Sequence, residues 1–217
     1  PEWLGIRTVA NVVKRILTPW PHEPYRTERA PMVAMHSNCN GRSGRGRVLS
    51  TLSQIPGIMD SYGKCWNNRN SGSYEPDKAH WHWGDSEGNR DTTKTDIVAQ
   101  YRVTAALENT IDPDYITEKR FEGLVAGSVP LIYRAPEPSS MEHLPHPSAA
   151  IYVEDYASIH KLATYLLKLS RNDTLYYERH HAWKKHGVSR EFVKILFHGW
   201  NLTPCRVCEA LVVAQPN

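Results

Sequence analysis

The sequence predicts an α/β fold, a parallel sheet with flanking helices, and three stretches carry that expectation. Residues 101–133 read as strand, polar corner, helix and strand. Residues 32–55 read as strand, glycine-rich turn and helix, and residues 150–173 as a strand followed by an amphipathic helix. A helix of about ten residues between two short apolar strands is one crossover unit of a parallel sheet.

In chain order, TVANVVKRIL (8–17) is a candidate helix, and TPWPHEPYRTERAP (18–31) is a proline-rich connector of the kind that crosses between lobes. MVAMHS (32–37) is a short apolar strand. NCNGRSGRGRVLSTLSQI (38–55) turns on glycine and arginine, then enters a helix carrying Val48, Leu49, Leu52 and Ile55. Backbone N–H groups at that helix start, beside Arg42, Arg45 and Arg47, suit a phosphate; solvated basic surface is the competing reading. No Gly-Lys-Ser/Thr closes the turn, so it is not a P-loop, and the glycine spacing is not the dinucleotide fingerprint.

Residues 66–95 are polar and poorly patterned. Within them Trp81, His82 and Trp83 are rings that can line a cleft or clasp a long loop, and His80 is not needed as a ligand. The next strand rests on Val103 and on Ala105 to Leu107. Pro113 and the polar residues before it break that strand, and Asp114 or Thr117 can cap the helix that carries Phe121, Leu124 and Val125. Gly127 closes the helix and SVPLIY (128–133) is the following strand. Ligands of such sheets bind beyond the strand carboxyl ends, which puts Glu108 to Lys119 on the functional rim. Lys119 in a first helical turn is poorly matched to the helix dipole unless an anion sits nearby. Solvated surface charge is the competing reading for Glu118 and Lys119.

After the loop 134–150, AIYVED (150–155) is a strand, and Ser158 caps a helix that repeats Leu162, Leu166 and Leu169 on one face. DTLYYERHHAWKKH (173–186) and SREFVKILFHGW (189–200) are two further helices. His180, His181, His186 and His198 do not repeat at a metal-ligand spacing and read as surface or satisfied groups.

Composition excludes several classes. With 217 residues, 40% apolar and 23% charged, the chain is long enough for a substantial core, and a formal charge of +3 is too small to imply nucleic acid. No segment reaches the length of a membrane span and no signal peptide is visible. The start at Pro1, without methionine, suggests a processed product or a piece of a longer chain. NDT at Asn172 and NLT at Asn201 match the glycosylation acceptor pattern. The four cysteines, Cys39, Cys65, Cys205 and Cys208, form an even set open to three pairings. Free thiols, a zinc pair at Cys205 and Cys208 and a redox centre there are the alternatives.

The stretch LENTIDPDYITEKRFEGLVAGSVPLIY (107–133) resembles the donor-binding signature of the α1,3/α1,4-fucosyltransferase family. SNCNGRSGRGRVLSTL (37–52), DSYGKCWNN (60–68), VEDYASIHKLATYLLKLSRNDTLYYE (153–178) and the closing CRVC (205–208) are similar to further family segments in the same order. The resemblance implies the donor half of a GT-B glycosyltransferase: residues 1–35 as the end of an acceptor lobe or linker, and 36–217 as a Rossmann-like GDP-fucose domain with carboxyl-terminal helices. It implies an inverting transfer of L-fucose from GDP-fucose, in α1,3 linkage to N-acetylglucosamine of an N-glycan core or antenna, without a metal.

Arg45, Lys119 and Glu118 then correspond to the catalytic set, and Arg45, Asn109, Tyr115, Glu118 and Lys119 to the donor-binding set. Arg45 and Lys119 would carry the diphosphate charge, Glu118 the donor hydroxyls, and Tyr115 and Asn109 the pocket. Two positions depart: Leu107 replaces an aromatic, and Arg134 stands where the family has glycine. Glu2, Glu23 and Glu28 lack the context of the family's general base, which places that base in an amino-terminal lobe. The parent is expected in the Golgi or endoplasmic reticulum lumen as a type II membrane protein. A catalytically inactive nucleotide-sugar-binding or scaffold relative, and a transferase for another nucleotide sugar or a protein acceptor, are the alternatives.

Overall fold

Five parallel strands in the order β2-β1-β3-β4-β5 form the centre of the molecule: β1 (Met32–Ala34), β2 (Met59–Ser61), β3 (Val103–Ala105), β4 (Val129–Ile132) and β5 (Ile151–Tyr152). The helices are α1 (Val9–Leu17), α2 (Arg45–Ser53), α3 (Glu118–Ala126), α4 (Ile159–Ser170), α5 (Asp173–His180) and α6 (Arg190–Asn201). This computed structural model describes residues 9–17, 29–69, 94–95, 97–113, 115–134 and 143–201.

The strands are buried on both faces because helices cover both, and side chains alternate between two cores. Val33, Ile132 and Tyr152 enter a core with Val12 and Ile16 of α1, Leu124 and Val125 of α3, and Phe192 and Leu196 of α6. Met32, Ala34, Val103, Ala105, Leu131 and Ile151 enter the opposite core with Val48, Leu49 and Leu52 of α2 and Leu162, Leu166 and Leu169 of α4. The leucine face expected between 158 and 173 is therefore the covering face of α4. Ser158 caps that helix as expected, its Oγ accepting from Lys161 N–H at 3.2 Å.

Helix α3 lies close on the sheet. A Cβ on Gly123 would stand 2.6 Å from Thr104 Cγ2, so glycine permits the approach. Gly127 ends α3 at φ 78°, the left-handed cap that the sequence anticipates. Pro130 is tolerated in β4 for a specific reason. Val129 N–H donates to Arg102 O, so β4 turns this side to β3 and Pro130 the other way. There β5 is only two residues long and begins opposite Leu131.

The structure differs from the sequence expectation at one of the late helices. The helix expected over 173–186 ends at His180, where Trp183 Nε1 donates to His180 O at 2.7 Å and a 3-10 turn (Ala182–His186) follows. The sheet takes in β1, and α1 packs on α3 and α6. His80 to Trp83, Cys205, Cys208, Glu2, Glu23, Glu28 and Asp114 lie outside the described residues.

Candidate functional site

Strand order reverses between β1 and β3, and the crevice at such a point is where open parallel sheets bind ligands. Two loops meet there, 35–44 after β1 and 106–117 after β3, and they are stitched together. Ser43 N–H donates to Asn109 O at 2.9 Å, and its Oγ donates to Glu108 O at 2.6 Å. A Cβ on Gly41 would come within 3.0 Å of both Arg45 Nε and Asn109 O. A disulfide between Cys39 and Cys65 ties the first loop to the turn after β2. This is one of the pairings left open by sequence.

Arg45 opens α2 after Gly44 at φ 77° but does not reach outward. It is 2% exposed, with Nη1 donating to Leu107 O at 3.1 Å and Nη2 to Asn38 O. Its Nε is buried without a partner, as is Asn109 Oδ1. His36 Nε2 also contacts Leu107 O, at 3.2 Å. Desolvation, and then the Arg45 charge, lower the His36 imidazole to about 4, so it stays neutral. The outward cations of this turn are Arg42 and Arg47, both exposed beside a helix start that has no side-chain cap.

The β3–α3 corner is built around Glu108, 7% exposed. Thr117 N–H and Oγ1 each donate to its Oε1 at 2.8 Å. Thr117 holds the N-cap position of α3, but its hydroxyl serves Glu108 and accepts from Lys119 Nζ at 2.8 Å, instead of capping the helix. Lys119 Nζ lies 3.4 Å from Glu108 Oε2 and 3.1 Å from Glu118 Oε1. The anion that a lysine at this helix start requires is thus supplied in part by the protein itself. Burial works against the Glu118 charge, yet the Lys119 ammonium holds its carboxyl below the ordinary value. Glu118 and Tyr115 are exposed and accessible to a ligand.

Beside this corner a pocket opens between the ends of β3 and β4, with Glu108, Tyr115, Arg120, Tyr133 and Arg134 in its wall. Burial pushes the Tyr133 phenol up to about 12. Arg134, which departs from the resembled pattern, lies 4.1 Å from the Tyr152 ring centre and donates to Asp155. Arg120 was not singled out by sequence. The available signal was its place four residues before Leu124, on the face of α3 that turns to the sheet.

The remaining candidates are peripheral to the corner. Asn172 is exposed and its Oδ1 accepts from Leu175 N–H at 2.8 Å, leaving the amide nitrogen that a glycan would modify outside that bond. Asn201 ends α6. His180 is satisfied by Tyr165 Oη at 2.8 Å and Ser148 O at 2.9 Å. Among the described residues no three His, Cys, Asp or Glu side chains gather as metal ligands.

Comparison with known proteins gives consistent matches. The profile of glycosyltransferase family 10 (fucosyltransferase), C-term, matches residues 26–217. The chain is 34% identical over 168 residues to GDP-fucose protein O-fucosyltransferase 3 of Xenopus tropicalis, covering 75% of this chain and 32% of that protein. For the Homo sapiens protein of the same name the identity is 33% over 162 residues, covering 75% and 31%. This chain thus spans about a third of the length of the curated relatives it matches. An α1,3-fucosyltransferase crystallised with GDP-fucose shares the fold, with a TM-score of 0.53 and 19% identity over 74% of this chain and 40% of that one.

Proposed function

The chain belongs to glycosyltransferase family 10, the fucosyltransferases, and from that premise we propose that its β1/β3 corner binds GDP-fucose as the donor half of an inverting transferase. One observation carries the reading. Two motifs separated by some sixty residues, the arginine-rich turn and the Glu108–Lys119 run, are bonded into a single rim through Ser43 and Arg45, at the ligand-binding end of the sheet. The name and ligand of the crystallised fold relative support the donor identity.

In this reading Lys119 exchanges Glu118 for the donor diphosphate and stabilises the charge that grows on departing GDP. Glu118 accepts from donor hydroxyls, while Tyr115 and Asn109 shape the pocket. Arg45 acts as a positioning residue whose charge backs the rim, and Arg42 and Arg47 are the cations free to reach a phosphate. The fucose C1–O bond to GDP breaks as the acceptor oxygen bonds C1 from the opposite face. The acceptor proton passes to a carboxylate base, which we assign to an acceptor lobe of the full-length protein.

For the acceptor, N-acetylglucosamine in α1,3 linkage is the reading from the sequence signature. A protein hydroxyl is the second reading, favoured by the names of the curated relatives. Mass spectrometry of products from a longer protein offered both acceptors separates them. The disulfide and the Asn172 sequon support a place in the secretory lumen.

Calorimetric titration with GDP-fucose, GDP-mannose and UDP-galactose tests the donor. Selective GDP-fucose binding is expected, and Lys119→Ala should weaken it by about 1.5–3 kcal/mol, the scale of a charge-assisted hydrogen bond. Equal affinity for all three donors, or an indifferent Lys119→Ala, sinks the proposal.

A further inference from the structure

We propose that Arg120 reads the nucleobase of the donor, with the pocket between the ends of β3 and β4 taking a guanine whose acceptor edge meets the buried guanidinium. The inference rests on the donor reading above and assigns the base-recognising residue within it. Arg120 is 3% exposed, and its Nε and Nη1 are buried with no hydrogen-bond partner, Glu108 included. A buried guanidinium without acceptors is costly to fold, and a ligand that brings acceptors removes the cost. Desolvation already works against this charge in the folded chain.

The choice of base over phosphate follows from the walls and from helix geometry. Arg120 directly follows Lys119, so the two point in different directions around α3. Lys119 stays at the rim, 21% exposed, where a diphosphate has access to solvent and to the outward arginines, whereas Arg120 points inward. The wall around it sets Ile111, Tyr115 and Tyr133, surface for a flat ring, beside the carboxylates of Glu108 and Asp112, which repel a phosphate, and beside the Arg134 guanidinium. Guanine carries the acceptors O6 and N7 on one edge, for which arginine is the most frequent partner, and N–H donors on the next edge. Glu108, in the same wall and fixed by Thr117, is an acceptor for those donors. Adenine presents an amine where guanine has O6, so the same guanidinium would meet a donor.

Titration of the chain and of Arg120→Met with GDP, ADP and inorganic pyrophosphate tests this, with thermal unfolding as the fold control. Wild type should bind GDP roughly 10-fold or more tighter than ADP, the scale of one good base contact. Arg120→Met should lose about that factor for GDP, keep its pyrophosphate affinity within about 2-fold, and melt no lower than wild type. Unchanged GDP affinity in Arg120→Met overturns the assignment while leaving the donor reading intact. Parallel losses for GDP and pyrophosphate make Arg120 a phosphate residue and overturn it as well. A wild type that binds no guanine nucleotide at all defeats both proposals together.

Discussion

Two strand-to-helix corners lie at the same end of the sheet, each with a buried arginine at the start of its helix, and they use that arginine in opposite ways. At the β1–α2 corner Arg45 donates to the carbonyls of Asn38 and Leu107 and holds two loops together. At the β3–α3 corner Arg120 is equally buried, yet its Nε and Nη1 meet nothing. Arg45 uses both terminal nitrogens on backbone carbonyls, leaves only Nε unpaired and so braces the loops. Arg120 has neither Nε nor Nη1 answered and stands in a pocket wall, available to a ligand. Burial alone does not distinguish them. The partners do.

The largest effect should come from Arg45→Ala. It strips two buried carbonyls of a charged donor and loosens the loops, so urea unfolding should show a loss of about 3–5 kcal/mol. Weak nucleotide binding by this variant would report on folding first, and a loss below about 1 kcal/mol would show that Arg45 is not a brace. Next is the disulfide. Replacing Cys39 and Cys65 together by serine removes a loop closure with a sequence separation of 26 residues, worth roughly 3 kcal/mol in the chain-entropy account.

A pH effect at the same corner sharpens the contrast. The folded His36 imidazole titrates at about 4 against an ordinary 6.5, so between those values only the unfolded chain takes up its proton. Stability should be full above about pH 6.5 and decline as pH falls toward 4, by about 3 kcal/mol at the lower end from this group. Burial also lowers His180 and His181, which act in the same direction. His36→Gln, which can still donate to Leu107 O, should flatten the decline measured by urea unfolding from pH 7 to 4. An unaltered slope would show that the Arg45 corner tolerates a second charge. The smallest effect on stability belongs to Lys119→Ala at the second corner. Its ion pairs are partly solvated, and less than about 1 kcal/mol of folding free energy should be lost while donor binding suffers.

Much of the architecture was readable in the chain. The leucines of α4, the Ser158 cap, the Gly127 stop and the short apolar runs of β1 and β3 are local patterns, and local backbone preference follows them. Thr117 shows the limit of such reading. It was recognisable as the residue before a helix, but whether its hydroxyl serves the helix or a carboxylate depends on Glu108, nine residues away. The disulfide partner of Cys39 was likewise one of three options until β1 and β2 were laid side by side.

The sequence by itself therefore determined the order and kind of most elements, β2 and the break after His180 excepted, and which residues stand at the carboxyl ends of β1, β3 and β4. Periodicity and capping act over a few residues and need no knowledge of the rest. Only the tertiary structure decided what each charge does there. Arg45 finds its acceptor at Leu107, 62 residues away, because β1 and β3 are neighbours in the sheet. Arg120 finds none because α3 carries it into the wall of a pocket beyond the carboxyl ends of β3 and β4. Solvation and hydrogen bonding act within about 3 Å, and that distance is set by chain crossings that no local pattern contains.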